Sequence, residues 1–271
     1  MKLRILLCLG LLYLLATPDQ LKAQTGWRTG IVAIPAYNTF LNADDNAAFN
    51  PPTSKRELLP GMTGGLMLGY NAGAFAIRLN ALYGQNGNRY SLNNITNGLE
   101  GTATCHYRGN DYPCTHLTSR LEYFKVPLLF GFETGSGALE PAKTSFSFFV
   151  GGQASFLTRA NIYDNNTQFT PPTPSNETSV PDAFEQFTPI VYSGVLDFGF
   201  DFKLEEDLQL NLHVRGEYGI NNVENVDASY RITEGGQTME VPFYNPDRAT
   251  TNNLSVGIMV GFTYIMRSRW N

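Results

Sequence analysis

Apolar and polar residues alternate with a period of two over most of the chain. From Tyr192 the alternation is unbroken: Tyr192, Gly194, Leu196, Phe198, Phe200, Phe202 and Leu204 fall on one face, Ser193, Val195, Asp197, Gly199, Asp201 and Lys203 on the other. Leu208, Leu210, Leu212, Val214, Tyr218 and Ile220 then oppose Gln209, Asn211, His213, Arg215 and Glu217, and the run from Leu254 to Met266 repeats the scheme. Earlier in the chain Phe146–Phe156, Phe124–Phe132, Phe75–Tyr83 and Met62–Tyr70 behave alike. Strict alternation is the signature of strands with two different environments. A less regular run at Trp27–Tyr37 adds one more, and Pro35 within it predicts a strand end or a bulge. Eight strands result. No window carries a helical period, and after residue 23 no apolar run is long enough for a membrane helix.

The connections also alternate. Asn71–Gly73, Thr134–Lys143 and Glu205–Asp207 are short, whereas Thr39–Pro60, Ser91–Thr118, Tyr163–Phe187 and Asn221–Thr251 are long and polar. In an up-and-down barrel, successive connections lie at opposite ends. The long ones therefore gather at one mouth, the asymmetry of outer-membrane barrels with tight periplasmic turns and long external loops. Asn50-Pro51-Pro52 and Thr170-Pro171-Pro172 cannot continue a ladder. Tyr230–Val241 reads as a hairpin about Gly235-Gly236, too short and polar to span.

A soluble sandwich alternates too, but its solvent face is dense in charge. Here the second face is mainly Gly, Ser, Thr, Asn and Gln, and charged residues are only 16% of the chain, below the roughly 25% of soluble domains. Small polar residues suit the cramped interior of an eight-stranded barrel. The charges on that face form a balanced set, Arg78, Lys125, Arg159 and Arg215 against Glu133, Asp197, Asp201 and Glu217, with His213 among them. Buried charges require partners, and this mixture can satisfy itself within a plugged lumen. The expected architecture is an all-β, eight-stranded antiparallel up-and-down transmembrane β-barrel, bathed outside by outer-membrane lipid. Trp27, Tyr70, Tyr83, Tyr218 and Tyr264, near strand ends, read as interfacial belts.

The first residues stand apart. Lys2 and Arg4 precede an apolar run, Ile5–Leu15, and a polar stretch ends at Ala23. This is the layout of a secretory signal peptide, giving residues 1–23 as the signal and 24–271 as the barrel domain. Cys8 lies too early in the apolar run for a lipid anchor. The net charge of −5 becomes more acidic once Lys2, Arg4, Lys22 and Asp19 are removed, which excludes a nucleic-acid surface. Export into an oxidising compartment makes a Cys105–Cys114 disulfide the default. Cys105, His106, Cys114 and His116 could instead hold zinc, but their spacing is unlike the usual patterns.

No phosphate-binding glycine loop, metalloprotease motif or nucleophile elbow is present, and no cofactor is implied. His213, Glu217 and Asp197 can be drawn as a catalytic trio, though a lumen network is the simpler reading. His106 and His116 lie in a long connection without a placed partner, and Asp44-Asp45-Asn46 reads as a solvated turn rather than a calcium site.

Leu121-Glu122-Tyr123-Phe124-Lys125-Val126-Pro127-Leu128-Leu129-Phe130 resembles the Tyr-Leu-Glu-Ile-Pro-Leu-Leu strand of the Bacteroidetes outer-membrane β-barrel family of PorT-like proteins. Leu79–Gly87 and the glycine-rich Val195–Phe202 are similar to further segments of it, and Gln24 after Ala23 fits its usual cleavage point. Trp270, penultimate rather than final, departs from the aromatic C-terminus that many barrels present to the barrel-assembly machinery. The resemblance implies outer-membrane residence and carries no catalytic signature. The expected role is a non-enzymatic barrel whose external loops serve binding or envelope integrity. The alternatives are an accessory component of a secretion or surface-assembly complex, with an envelope protein partner, and a barrel-type lipid-modifying enzyme.

Overall fold

Each alternating run forms one long strand in the computed structural model, which describes residues 26–43, 54–96, 99–107, 110–114, 116–134, 143–164, 167–168, 183–234, 237–242 and 247–267. The barrel strands are β1 (Gly26–Leu41), β2 (Leu59–Ala72), β3 (Phe75–Thr96), β4 (His116–Glu133), β5 (Thr144–Asp164), β6 (Ile190–Lys203), β7 (Leu208–Gly219) and β8 (Asn252–Arg267). Every consecutive pair is antiparallel, and β1 also pairs with β8, from Gly26↔Arg267 to Leu41↔Asn252. The ladder thus closes on itself. Closure is what hydrocarbon demands, since an open edge would strand its backbone N–H and C=O groups away from water.

Following the registers from Trp27 through Tyr70, Ile77, Phe130, Val150, Leu196, Gly216 and Val256 returns to Tyr37, ten residues further along β1. With eight strands, that stagger tilts them by roughly 40°. Ten tilted residues rise roughly 25 Å along the axis, the height of the apolar band of an outer-membrane barrel. Trp27 and Tyr37 therefore mark its lower and upper edges. Trp27 packs on Tyr70 with ring centroids 5.1 Å apart, and Tyr264 lies beside them through Thr29↔Tyr264. Tyr83, Tyr192 and Tyr218 are exposed on the outer wall toward the other end.

Polarity is inverted relative to a soluble protein. Leu66, Ile77, Leu128, Phe130, Val150, Leu196, Leu212, Ile258 and Phe262 are exposed, whereas Arg28, Arg78, Lys125, Asp197, Asp201, His213, Arg215 and Glu217 are buried. Apolar side chains face outward and charged ones inward, which is stable only with lipid outside.

Short and long connections segregate to opposite ends. The β2–β3 turn is Gly73-Ala74, closed by Ala72↔Phe75. Gly73 supplies φ 77°, the positive-φ first position that a two-residue hairpin turn requires. Both described ends of the barrel, Gly26 and Arg267, lie at this short-turn end.

Four local features depart from the sequence reading. Pro35 neither ends nor bulges β1: the β1–β8 register is the same on both sides, and only the pairs of Ile34 and Pro35 are missing, as the absent N–H dictates. Pro127 interrupts β3–β4 in the same way. A bulge does occur, but in β4–β5, where Glu122↔Arg159 is followed by Tyr123↔Leu157 and Thr158 is left over. Finally, the stretch expected as a loop at Ser91–Thr118 continues as strand. β3 runs to Thr96 and pairs with Leu99–Tyr107, which pairs with Asn110–Cys114. The expected hairpin about Gly235-Gly236 is present as Ser229–Glu234 paired with Gln237–Pro242. The signal segment, Asp44-Asp45-Asn46, Trp270 and the side chains of Cys105, His106, Cys114 and His116 lie outside the described residues.

Candidate functional site in the barrel lumen

Inward positions of all eight strands feed one polar chain that crosses the lumen. At the short-turn end, Arg28 of β1 meets Glu133 of β4 at 2.8 Å and donates to Gln209 at 3.0 Å. Arg78 of β3 reaches the same carboxylate at 2.9 Å, Asn71 donates to it at 2.8 Å, and the Arg78 guanidinium lies 3.8 Å above the Phe149 ring. Arg78 also approaches Asp201 of β6 at 3.7 Å. Asp201 accepts from Ser147 and Asn211, and Asn211 in turn accepts from Thr263.

His213 of β7 lies between two carboxylates, with Nδ1 2.5 Å from Asp197 Oδ1 and Nε2 3.0 Å from Asp201 Oδ1. A ring with both N–H groups in place donates to both. Gly199 sits directly opposite His213 in the ladder, and a Cβ there would stand 2.6 Å from the imidazole Cδ2. The glycine is what leaves room for the ring.

Asp197 Oδ2 lies 3.8 Å from Arg215 Nη1, and Arg215 Nε donates to Glu217 at 3.0 Å. Glu217 then takes the Lys125 ammonium of β4 at 2.9 Å, which also donates to Asn86 of β3 at 2.9 Å. Gln153 of β5 ties the group together, accepting from Arg215 at 3.0 Å and donating to Glu217 at 3.1 Å. Four cations, Arg28, Arg78, Lys125 and Arg215, thereby face four carboxylates, Glu133, Asp197, Asp201 and Glu217. The chain balances its own charge, as burial requires.

Apolar layers fill the space around it. Val32, Ile34, Met67, Leu82 and Met259 form one cluster, and Ala76, Leu129, Phe149 and Val195 another. At the long-loop mouth, Phe40, Leu121, Tyr123, Leu157, Ala160 and Val191 from the walls pack with Phe187 and Val223 from the connections. The cap is fastened by backbone bonds, Thr188 N–H to Val223 C=O and Val223 N–H to Thr251 C=O. Its polar clasp is Glu224, which accepts from Arg248 at 2.6 and 3.1 Å and from Thr251 at 2.7 Å. Asn42 at the end of β1 donates to Ala249 and Thr251.

Of the nine residues expected to share the lumen, the structure brings together Arg78, Lys125, Glu133, Asp197, Asp201, His213, Arg215 and Glu217. Arg159 is corrected: it is exposed on the outer wall. The extra residue Thr158 shifts the inside–outside parity of β5 by one, so Leu157 and Ala160 point inward and Arg159 does not. Arg28 takes the fourth cationic place. Its signal is its position, one residue past outward Trp27. Glu224, Arg248, Phe187 and Val223 come from irregular segments and carry no periodic signal.

His213, Asp197 and Asp201 contain the groups of a proton relay, but each is about 1% exposed, so the trio faces neither solvent nor lipid. His213 and Glu217 do not touch. Instead Glu217 engages Lys125, Arg215 and Gln153. The cysteine-bearing hairpin sets Cys105 opposite Tyr112 and Cys114 opposite Ala103, two positions apart along the ladder. Among the described residues no group of His, Cys, Asp and Glu is placed to hold a metal ion.

A family model described as an outer membrane protein beta-barrel domain matches residues 20–225. No curated protein sequence matches the chain. Similar solved structures include Neisserial surface protein A, at 12% identity over 89% of this chain and 97% of that one, with a TM-score of 0.39. Outer membrane protein W of Escherichia coli is similar at 12% identity over 90% and 99%, TM-score 0.31. The outer membrane protease OmpT of Escherichia coli is similar at 7% identity over 89% and 97%, TM-score 0.33.

Proposed function

Because the chain belongs to the outer membrane protein beta-barrel domain family and resides in the outer membrane, we propose that it is a closed, non-enzymatic barrel presenting its external connections for binding or envelope integrity. The observation that carries this reading is the cross-lumen contact set. Lys125 of β4 meets Glu217 of β7, and Arg78 of β3 meets Asp201 of β6, so side chains from facing walls occupy the axis. A path for solutes would have to break several buried ion pairs at once.

The enclosed position of His213 supports a structural rather than catalytic role for the trio. The cap formed by Phe187 and Val223 supports a sealed outer mouth. In this proposal residues 1–23 are a cleaved export signal, the barrel-assembly machinery inserts the mature chain, and Cys105 pairs with Cys114. The Leu121–Phe130 segment favours a place among the PorT-like proteins of Bacteroidetes.

Single-channel recording on the full chain in planar bilayers tests the reading. The expected result is no steady conductance. A stable open level in the unmodified protein would remove the closed-barrel proposal.

A further inference from the structure

The bulge that turns Arg159 out of the lumen gives the outer wall a charged site. Arg159 is exposed on β5, and exposed Arg120 lies on β4 beside it, two positions along the ladder, since Arg120 faces Asn161 and Glu122 faces Arg159. Among the described residues, neither guanidinium has a carboxylate within 4 Å. By contrast Arg28, Arg78, Arg215 and Arg248 all have one, and nearby Arg89 lies 3.4 Å from Glu57. The carboxylate between the two arginines is engaged elsewhere: Glu122 accepts the Tyr83 hydroxyl at 2.5 Å. Arg120 is propped against the Tyr163 ring at 5.7 Å, which holds the side chain along the wall.

Height decides what meets these groups. Phe132, clustered with Phe146 and Phe148, is the last outward aromatic of β4 at the short-turn end, and Glu122 stands ten residues above it. That spacing is one apolar band, roughly 25 Å at the strand tilt. Arg120 and Arg159 therefore emerge a few ångströms beyond the acyl chains, at the level of the outer-leaflet headgroups. Elsewhere on that rim the exposed side chains of Tyr37, Tyr83, Tyr192, Tyr218 and Ile220 carry no charge, and the cation Arg89 is already matched by Glu57.

We propose that Arg120 and Arg159 form a docking site for the phosphate headgroup of an outer-leaflet lipid, with the acyl chains lying against Phe124 and Phe156 below. Two guanidinium groups can direct several N–H donors at one phosphate, the geometry arginine serves best. This assignment rests on membrane residence alone and stands whether or not the lumen conducts.

The test is native mass spectrometry of the full folded chain in detergent, titrated with a monophosphorylated disaccharide lipid and with the same lipid lacking its phosphate. The expected result is phosphate-dependent retention that weakens about tenfold in the Arg120→Gln/Arg159→Gln variant. Glu122→Gln, which removes the intervening carboxylate, should retain the lipid at least as well as the unmodified protein. Exposed Lys143→Gln at the opposite end should change nothing. Equal retention of the dephosphorylated lipid, or undiminished retention by the double variant, overturns the proposal. Heat-modified electrophoretic mobility reports folding of each variant; if the double variant does not fold, the single variants carry the same comparison.

Discussion

The Lys125 ammonium of β4 and the Glu217 carboxylate of β7 meet at 2.9 Å across the barrel interior, although their strands are not neighbours in the wall. Each is all but inaccessible, so neither can exchange its partner for solvent. Removing Glu217 leaves the ammonium with Asn86 alone, and removing Lys125 leaves the buried carboxylate one cation short, held only by Arg215 and Gln153. Lys125→Met should destabilise the barrel by about 3–5 kcal/mol, while Lys125→Met combined with Glu217→Met should recover most of the loss. Denaturant unfolding in lipid vesicles, followed by tryptophan fluorescence, measures both. Equal destabilisation in the single and double variants would mean that the pair is not coupled.

The outer wall responds to charge in the opposite sense. Leu196 lies midway along β6 between Tyr192 and Phe202 and faces lipid. Leu196→Arg should cost about 2–4 kcal/mol. The same unfolding measurement on Arg159→Leu should move far less, because that side chain stands beyond the acyl region. A tolerated arginine at 196 would contradict the assigned inside and outside.

The outer cap hangs on Glu224, which joins Arg248 and Thr251 to the segment carrying Val223. Glu224→Ala should loosen the cap without opening the wall. Amide hydrogen exchange at Val223 and Thr188 should accelerate roughly tenfold, with strand amides unchanged. Exchange that accelerates equally throughout β1–β8 would place Glu224 in the stability of the whole barrel instead.

The cysteine pair calls for a direct measurement. Diagonal positions in an antiparallel ladder lie roughly 7–8 Å apart, beyond the usual disulfide span of about 4.4–6.8 Å. Linking Cys105 to Cys114 therefore requires the hairpin to shift. Intact mass under non-reducing conditions, after alkylation, should give a protein carrying no label if they are joined, as proposed. Two alkyl groups would show that the ladder keeps them apart.

Much of the wall could be read from the residue order because lipid and lumen impose opposite demands on successive positions. Phe198 and Asp197 cannot exchange places without burying one side chain wrongly, so parity is written into every regular strand. What parity cannot report is an extra residue. Thr158 adds one, and Arg159, polar and correctly spaced from Ser155, counts as inward until the bulge is known. Arg28 was obscured by the small residues and proline of β1. The extension of β3 to Thr96 was hidden by asparagine and serine, which favour turns when a neighbouring strand does not hold them. Which charge meets which is also absent from the sequence. Arg28 and Glu133 lie on strands brought close only by closure.

That closure joins Gly26–Leu41 to Asn252–Arg267, the first described strand to the last. The seam can form only once Asn252–Arg267 has arrived, and until then the border of Gly26–Leu41 has no partner to satisfy it. A ribosome that stops before Asn252 yields a sheet with two raw margins and no place in hydrocarbon. The fold thereby rejects incomplete copies of itself at the moment of insertion.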